Sequence, residues 1–430
     1  MAKKAIAPAR TIAGTVEFPG DKSISHRYAI LAALATGPSE IRNYSSAADC
    51  RSTLDCLRRL GVEAELRGNV ARIRGVGLAG LKASRRTLDA GNSGTSMRLL
   101  AGVLAGQAFS SKLSGDSSLR CRPMRRVFEP LLRMGAEIHA REGEFAPFEI
   151  RGGALKAIEY EMPVASAQVK SAILLAGLYA PGWTTVREPV RTRDHLELAL
   201  REFGAEIRRA EGSVGVQGGA RLEGRGLEVP GDLSAAVFFL GAALILPGSS
   251  LLLHDVGLNP TRTAVLDLLI SMGAPLHLAS VRMRDGELVG DLAVRHAPLT
   301  GGVISGEAVA LMIDELPMLA ALGPYTEQGI EIRNAQELRV KESDRIAALA
   351  EGLRRMGAQV EEFADGLRVA GRAAGKLRGA TLDPRGDHPI AMALAVAALG
   401  AEGPSVLRDA GCVGVSFPEF FPALERVLER

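Results

Sequence analysis

The segment EFPGDKSISHRYAILAALATG (Glu17–Gly37) has a counterpart in the second half of the chain, EVPGDLSAAVFFLGAALILPG (Glu228–Gly248). Both begin with an apolar piece, turn at Pro-Gly-Asp and enter a helix rich in Ala and Leu. Because both segments combine the same turn with the same kind of helix, they indicate that the chain contains two similar halves.

A shorter pattern recurs within each half: Leu, two residues, a large apolar residue, Gly, then Ala or Val. Its glycines are Gly61, Gly135, Gly204, Gly273 and Gly357, at a spacing of roughly 69 to 84 residues. Each copy predicts a helix that ends at a glycine cap and is followed by a strand. One Ala/Leu-rich helix per period is apolar on nearly all sides, and we expect these helices to be buried.

These repeats predict an α/β fold of two similar domains, each made of three units with two helices and several strands. The predicted domains are residues 20–230, and residues 1–19 together with 231–430. The N-terminal strand at 11–18 is expected to complete the C-terminal domain, whose sixth unit lacks its last strand. A chance recurrence of helix–glycine–strand segments is the alternative, which five near-regular copies disfavour. A cleft between two such domains would suit an anionic ligand, because helix N-termini carry partial positive charge.

Composition excludes several classes of protein. The 430 residues are 47% hydrophobic and carry 52 Lys and Arg against 49 Asp and Glu, a net charge of +3. This balance, with only 4% aromatic residues, disfavours a nucleic-acid-binding module. The four cysteines have neither CxxC nor zinc spacing, which is typical of reduced thiols. No apolar run reaches the length of about 20 residues that spans a bilayer, so we expect a soluble cytoplasmic protein without a membrane partner.

Two cations distinguish the first half from the second. Lys22 and Arg27 correspond to Leu233 and Phe238, so the repeated fold does not require them. Cations at the start of a helix can bind an anion, and we predict a functional role for both. The alternative is that they are solvated residues at a helix start.

Two further segments of the first half predict contacts with an anion. DAGNSGTSMRLL (Asp89–Leu100) places small residues before a helix, where backbone N–H groups can approach a ligand. It matches neither a dinucleotide fingerprint nor a P-loop. SSLRCRPMRR (Ser117–Arg126) places four arginines at the entrance of a helix, with Pro123 in its first turn. Those arginines either bind phosphate or carboxylate or form a solvated basic turn.

Polar residues also interrupt two apolar segments farther along the chain. SAQVKSA places Ser166 and Gln168 at the start of a buried helix, where they bind a ligand or cap the helix. MIDELPML places Asp314 and Glu315 in an apolar frame. A carboxylate in such a frame is paired or has a raised pKa, which suits a general base.

The segment ELRVKESDR (Glu337–Arg345) is the last candidate. Lys341 and Arg345 are four residues apart, which predicts that they share one face of a helix. They form either part of a site or a structural salt-bridge cluster with the acidic residues of the segment. The chain has no metal-ligand spacing and no Ser-His-Asp signature, so we expect neither a metal nor a covalent triad.

Together, PGDKSISHR, GNSGTSMR, SAQVKSA, IDELP, ELRVKESDR and SFPEFF resemble the 5-enolpyruvylshikimate-3-phosphate synthases, in order and over essentially the whole chain. The resemblance implies two domains of three βαβαββ-type units, the inside-out α/β barrel of the enolpyruvyl transferases, with the ligand cleft between them. It implies transfer of the enolpyruvyl group of phosphoenolpyruvate to the 5-hydroxyl of shikimate 3-phosphate, releasing phosphate, in the biosynthesis of chorismate and aromatic amino acids. It also implies a monomer that needs no cofactor and closes on its substrates.

The resemblance assigns roles to matching residues. Asp314 would be the base on the 5-hydroxyl, Glu342 the acid that protonates the methylene carbon, and Lys22 a further catalytic residue. The residues expected to contact shikimate 3-phosphate are Lys22, Ser23, Arg27, Ser166, Gln168, Arg193, Asp314 and Lys341. Those expected to contact phosphoenolpyruvate are Lys22, Gly94, Arg122, Gln168 and Arg345.

One position departs from this resemblance. Where the family usually has Asp-His-Arg, this chain has Asp-His-Pro, ending at Pro389. Loss of that arginine could weaken phosphoenolpyruvate binding by roughly 1.5–3 kcal/mol unless Arg385 compensates. The second hypothesis is therefore a paralogue that binds a sugar phosphate but transfers poorly or uses another acceptor. A transferase for UDP-linked amino sugars is disfavoured because Cys121 directly precedes Arg122 instead of lying several residues before it.

Overall fold

The computed structural model describes residues 3–430, and their contacts group into two units. The N-terminal unit comprises Pro19–Val229 and Met283–Glu287. The C-terminal unit comprises the chain up to Phe18, Pro230–Arg282 and Leu288–Arg430. No sequence signal indicated that Met283–Glu287 groups with the N-terminal unit. That residues 20–230, and residues 1–19 with 231–430, form two domains that close on the substrates stays a prediction.

The elements are numbered in chain order. The helices are α1 (Lys22–Leu34), α2 (Ala48–Arg59), α3 (Gly94–Ala105), α4 (Arg125–Met134), α5 (Ala167–Gly177), α6 (His195–Glu202), α7 (Leu233–Ile245), α8 (Ala264–Ser271), α9 (Glu307–Leu311), α10 (Leu316–Leu322), α11 (Arg345–Arg355), α12 (His388–Leu399) and α13 (Phe420–Val427). The strands are β1 (Lys4–Ile6), β2 (Thr11–Glu17), β3 (Thr36–Arg42), β4 (Glu63–Arg67), β5 (Val70–Val76), β6 (Leu88–Asp89), β7 (Ser110–Ser114), β8 (Glu137–Arg141), β9 (Phe145–Arg151), β10 (Glu159–Glu161), β11 (Trp183–Arg187), β12 (Ile207–Ala210), β13 (Ser213–Gln217), β14 (Gly226–Glu228), β15 (Ser250–Gly257), β16 (Leu276–Arg284), β17 (Glu287–Arg295), β18 (Gly302–Ile304), β19 (Ile330–Ile332), β20 (Val360–Phe363), β21 (Gly366–Val369), β22 (Thr381–Leu382), β23 (Ser405–Leu407) and β24 (Leu428–Glu429). Short 3-10 helices span Leu119–Cys121, Gly323–Tyr325, Gln336–Val340, Arg372–Ala374 and Ala410–Val415.

Six small mixed sheets repeat one strand arrangement, as the sequence repeats predict. Strands of the N-terminal unit form the orders β14-β3-β5-β4, β6-β7-β9-β8 and β10-β11-β13-β12. Strands of the C-terminal unit form β16-β17-β15-β2-β24, β18-β19-β21-β20 and β1-β23-β22. In each four-stranded sheet the first pair is parallel and the other pairs are antiparallel. In three units one buried helix joins a parallel pair into a βαβ segment: α3 joins β6 to β7, α5 joins β10 to β11, and α12 joins β22 to β23.

The first strands of the two halves are exchanged. β2 precedes α1 but pairs in parallel with β15, which follows α7. Conversely, β14 precedes α7 but pairs in parallel with β3, which follows α1. The sixth sheet is completed by β1, which pairs antiparallel with β23. The expected strand at 11–18 does belong to the C-terminal unit, but β2 lies in the β15 sheet, and the sixth sheet contains β1 instead. A strand of three residues carries too little pattern to be predicted from the sequence.

The repeat glycines have the conformation that a helix cap requires. Gly135 follows α4 with a φ of 110°, and its N–H donates to carbonyl oxygens of the last helical turn. The equivalent glycines at 61, 204, 273 and 357 also have positive φ, between 88° and 99°. Glycine adopts this left-handed conformation without the strain that a side chain would cause. The five positive φ values confirm the predicted helix–glycine–strand repeat.

The six Ala/Leu-rich helices are buried, as predicted. Every residue of α12 is buried, and so is every residue of α7 except Ser234. α1, α3 and α5 belong to the core of the N-terminal unit, whereas α7, α10 and α12 belong to that of the C-terminal unit. No helix among residues 3–430 has both the length and the apolar character to cross a bilayer. Burial fixes these helices, so the polar residues at their N-termini are held in defined positions.

Candidate active site

The start of α1 holds two cations of the N-terminal unit in fixed positions. The Nζ of Lys22 lies 3.1 Å from Oδ2 of Asp49, and about a fifth of the Lys22 side chain is exposed. Arg27, which is 2% exposed, donates to the Ser23 carbonyl oxygen at 2.8 Å and to the Ser171 hydroxyl at 2.9 Å. The alternative that these are solvated residues is therefore wrong for Arg27.

Arg193 acts electrostatically on Arg27. Burial lowers the pKa of the Arg27 guanidinium to about 10; Glu197 opposes this shift, and the positive charge of Arg193 adds to it. A bound anion would stabilise the charged forms of both guanidinium groups, of which Arg27 is buried.

The start of α3 brings two more arginines together. A Cβ atom on Gly94 would lie 2.7 Å from Nη1 of Arg98 and 3.6 Å from Nη1 of Arg122, so glycine leaves room beside both groups. Arg122 is 6% exposed and donates to the Asn92 side-chain oxygen at 2.7 Å. Of the four arginines at 117–126, Arg122 is the buried one.

The start of α5 is joined to the start of α3. Ser166 caps α5, its hydroxyl oxygen accepting from the N–H of Val169 at 3.4 Å. Gln168 accepts from Nη1 of Arg98 at 2.6 Å and donates to the Thr95 hydroxyl at 2.9 Å. Gln168 is thus oriented toward Arg98 of α3, whereas the hydroxyl of Ser166 makes a helix cap.

A buried histidine of α1, His26, lies in a chain of hydrogen-bonded side chains. The Nδ1 of His26 lies 2.7 Å from the Thr53 hydroxyl, which lies 2.6 Å from the Ser96 hydroxyl. This chain of polar groups links α1 to α2 and α3. Burial, together with the charges of Lys22 and Arg27, lowers the pKa of His26 well below its ordinary value near 6.5. The native protein therefore keeps this imidazole neutral.

Protonation of His26 predicts a pH dependence of stability. The unfolded chain binds a proton at this residue below about pH 6.5, whereas the folded chain does not. The free energy of unfolding should therefore fall with pH below about 6.5, by up to ~1.4 kcal/mol per unit for this group. His26→Gln should flatten the pH dependence of denaturant unfolding between about pH 5 and 7 relative to the wild type. His277→Gln, at an exposed position, is the control and should leave the slope unchanged. Equal slopes for wild type and His26→Gln would contradict the assignment.

The C-terminal unit collects acidic and basic groups around Asp314. The Nζ of Lys341 and Nη1 of Arg345 lie 3.6 and 3.7 Å from Oδ1 of Asp314. Nearly a third of the Asp314 side chain remains exposed. The two neighbouring cations stabilise the ionised form of this carboxylate. Because the group is also accessible, it can accept a proton from a ligand.

Arg345 organises the rest of this cluster. Its Nη2 lies 2.6 Å from Oε2 of Glu342, and its Nε lies 2.9 Å from Oδ2 of Asp387. Arg345 and Asp387 are 2% and 0% exposed. Burial by itself would lower the pKa of Arg345, but the charges of Asp387, Glu342 and Asp314 raise it overall. Arg345 is therefore a permanent cation that fixes Glu342 through a charge-assisted hydrogen bond.

Comparison with known proteins identifies the family. The family model for EPSP synthase (3-phosphoshikimate 1-carboxyvinyltransferase; EPSP is 5-enolpyruvylshikimate 3-phosphate) matches residues 6–424. The chain belongs to the EPSP synthase family. The 3-phosphoshikimate 1-carboxyvinyltransferase of Solibacter usitatus (strain Ellin6076) is 54% identical over 426 residues, covering 99% of this chain and 100% of that protein. The protein of the same name from Koribacter versatilis (strain Ellin345) is 53% identical, with 99% of each chain covered.

Solved structures agree with this membership. An EPSP synthase from Acinetobacter baumannii superposes with a TM-score of 0.88 at 40% identity, covering 100% of this chain and 98% of that chain. The enolpyruvyl transferase NikO from Streptomyces tendae has a TM-score of 0.79 at 20% identity, covering 98% and 96%. NikO therefore shares the fold alone. The predicted enolpyruvyl-transferase fold is confirmed, and the chain is a transferase of the shikimate pathway.

Two local expectations about the EPSP synthase motifs were wrong. Lys341 and Arg345 do not share a helical face, because α11 begins only at Arg345, capped by Asp344, and Lys341 lies in the preceding bend. Lys341 and Arg345 instead both contact the carboxylate of Asp314. In SSLRCRPMRR, Pro123 lies outside the helix, which begins two residues later.

Sequence reasoning also missed residues that hold this EPSP synthase site together. Asp49, Arg98 and Asp387 contact Lys22, Gln168 and Arg345 respectively. Asp49 and Arg98 are charged residues in the buried parts of helices, which is a usable signal. Asp387 lay in the Asp-His-Pro segment, but its partner is 42 residues away in sequence and only the fold shows it.

Pro389, the position at which weaker phosphoenolpyruvate binding is predicted, lies in the first turn of α12. Pro389 is buried as the second residue of α12, where a missing N–H leaves no helical bond unmade. Arg385 is exposed and donates to Glu351 at 2.6 Å. Arg385 therefore pairs with a residue of α11. The cation that contacts the start of α12 is Arg345, which donates to Asp387.

Within residues 3–430, no group of three or more His, Cys, Asp or Glu side chains is arranged to hold a metal ion. A groove lined by residues of the β3 sheet and another lined by residues of the β15 sheet contain none of the candidate residues.

Proposed function

We infer that the chain transfers the enolpyruvyl group of phosphoenolpyruvate to the 5-hydroxyl of shikimate 3-phosphate and releases phosphate. The observation that carries the residue assignments is the cluster in which Asp314, still partly exposed, contacts both Lys341 and Arg345. Both substrates are polyanions, and the N-terminal unit presents the cations that they need. Both sets of residues contribute to one reaction in this proposal.

The cations of the N-terminal unit divide between the two substrates. Arg27 and Arg193 repel each other, and a phosphate dianion would relieve that repulsion, so we assign them to the phosphate of shikimate 3-phosphate. Further contacts to this substrate come from Ser23, Ser166, Gln168, Lys341 and the carboxylate of Asp314. The groups beside Gly94 and Arg122, with Gln168 and Arg345, are assigned to phosphoenolpyruvate. Lys22 contacts both substrates.

The addition step needs a base and an acid. Asp314 accepts the proton of the 5-hydroxyl as its oxygen attacks C2 of phosphoenolpyruvate, and Glu342 donates a proton to C3, which becomes a methyl group. In the elimination step the methyl carbon returns a proton to Glu342 while the C2–O bond to phosphate breaks and the enol ether forms. Asp314 gives the proton of the 5-hydroxyl to the leaving phosphate, so both carboxyl groups regain their starting state. Proton count and electron pairs balance without a cofactor.

Arg345 connects substrate binding to the state of the acid. In the described structure it holds the Glu342 carboxylate at 2.6 Å, which favours the ionised form. An anion that binds Arg345 competes for its charge and thereby favours protonation of Glu342. Binding of phosphoenolpyruvate would in this way prepare the acid that its own methylene carbon needs.

Phosphate release tests the proposed function. We expect purified protein to release phosphate only when shikimate 3-phosphate and phosphoenolpyruvate are both present, at an ordinary enzymatic rate of about 1–10³ s⁻¹. Each substrate alone is the control. Absence of release, with shikimate 3-phosphate binding retained in calorimetry, would favour the paralogue hypothesis. Pro389→Arg is run beside the wild type, and recovery of release in this variant would identify residue 389 as the cause of the loss.

We also propose that the enzyme works as a cytoplasmic monomer. The cysteines Cys50, Cys56, Cys121 and Cys412 are free thiols, which suits a reducing compartment. Light scattering should give a mass near 45.3 kDa that does not change with protein concentration.

A further inference from the structure

A fully buried lysine of the N-terminal unit has no role in the mechanism above. Lys170, on α5, is 1% exposed, and its Nζ lies 3.0 Å from Oε2 of Glu188 and 2.8 Å from Oε1 of Glu197. Both carboxylates are also buried. One ammonium group between two carboxylates forms a desolvated ion cluster, in which each charge depends on its partners.

This cluster holds the chain immediately before Arg193. The carbonyl oxygen of Thr192 accepts from Nζ of Lys170 at 3.3 Å. The N–H of Thr192 donates to Oε1 of Glu188 at 3.1 Å, and its hydroxyl donates to the same oxygen. Both backbone polar groups and the side chain of Thr192 are thus fixed by the pair Lys170–Glu188. Asp194, on the other side of Arg193, directly precedes α6 and forms ion pairs with Arg191 and Arg209.

The same stretch of α5 also fixes Arg27. Ser171, the residue after Lys170, accepts from Nη2 of Arg27 at 2.9 Å. Glu197, a member of the ion cluster, favours the charged form of Arg27, whereas Arg193 disfavours it. The positive charges of Arg27 and Arg193 repel each other, which favours a larger separation when no anion is bound. The contacts of Thr192 to Lys170 and Glu188 oppose that movement.

We propose that Lys170, Glu188 and Thr192 are positioning residues that keep Arg193 near Arg27 and so set the affinity for the phosphate group of shikimate 3-phosphate. The inference rests on the proposed function, because it takes Arg193 to bind that phosphate. None of the three residues contacts a reacting atom. They act by preorganising a cation that would otherwise have to be ordered when the substrate binds.

Thr192→Val tests the positioning role. The substitution keeps the shape of the side chain and removes the hydroxyl bond to Glu188 without stripping a counter-ion from the buried cluster, as Lys170→Met would. We expect the dissociation constant of shikimate 3-phosphate, by calorimetry, and its KM to rise roughly 5- to 30-fold, with kcat and the KM of phosphoenolpyruvate changed less than about twofold. Thr192→Ser keeps the hydroxyl and should restore binding.

Thr184→Val is the matched control. Thr184 is buried in β11 of the same unit, and its hydroxyl has no hydrogen-bond partner among residues 3–430, so this change should leave shikimate 3-phosphate binding unchanged. An unchanged dissociation constant in Thr192→Val would overturn the proposal. A general loss, in which kcat and both KM values change together, would also overturn it in favour of a purely structural role.

A double-mutant cycle separates this inference from the proposed function. If Thr192 acts through Arg193, Thr192→Val should have little effect in an Arg193→Ala background. Additive effects would overturn the positioning role and leave the assignment of Arg193 to the phosphate intact. If Arg193→Ala alone leaves shikimate 3-phosphate binding unchanged, the assignment of Arg193 is wrong and the positioning role is rejected with it.

Discussion

Asp314→Asn should lower kcat by roughly 10²- to 10⁴-fold, the usual contribution of a general base. The amide keeps the size of the side chain but cannot accept a proton from the 5-hydroxyl. Because Lys341 and Arg345 remain in place, the KM values of both substrates should change far less than kcat. The measurement is steady-state phosphate release, with binding of shikimate 3-phosphate followed separately by calorimetry.

Asp267→Asn provides the control for that loss. Asp267 is an exposed residue of α8, and the same isosteric change there should leave kcat within about twofold of the wild type. A variant at Asp314 that retains most of its kcat would exclude this residue as the base. A loss of shikimate 3-phosphate binding as large as the loss of kcat would instead indicate a binding role.

Arg345→Met should lower the free energy of unfolding by about 3–5 kcal/mol. The change leaves Asp387, which is 0% exposed, without the cation that contacts it at 2.9 Å. It also removes the group that orients Glu342, so kcat and the affinity for phosphoenolpyruvate should both fall. Denaturant unfolding measures the first effect, and phosphate release measures the second.

Arg385→Met is the control that distinguishes loss of a buried arginine from loss of an exposed one. Arg385 pairs with Glu351 at the surface, where an ion pair contributes about 0–1 kcal/mol. Its removal should therefore hardly change stability or activity. Adding Asp387→Asn to Arg345→Met should recover part of the lost stability, because the buried unpaired charge is gone. Equal destabilisation by Arg345→Met and Arg385→Met would contradict the role given to the buried cluster.

The repeats of the sequence by themselves determined the class of fold. Glycines at the helix ends, such as Gly135, and helices apolar on all sides, such as α12, are local signals whose physical causes operate within a few residues. The ordered motifs likewise determined the EPSP synthase family, because they resemble its pattern along the whole chain. The site residues predicted from these motifs cluster within each unit, but their roles stay proposals.

Only the tertiary structure decided the strand exchange, the place of β1 and the partners of the buried charges. Lys170 meets Glu188 and Glu197 because α5 packs beside the segment that enters α6. Arg345 meets Asp387 across 42 positions of sequence. Spacing can place a charge in an apolar helix, but it cannot show which opposite charge compensates the cost of burying it. That choice depends on packing between elements distant in sequence, and it fixes the geometry of the cations at this site.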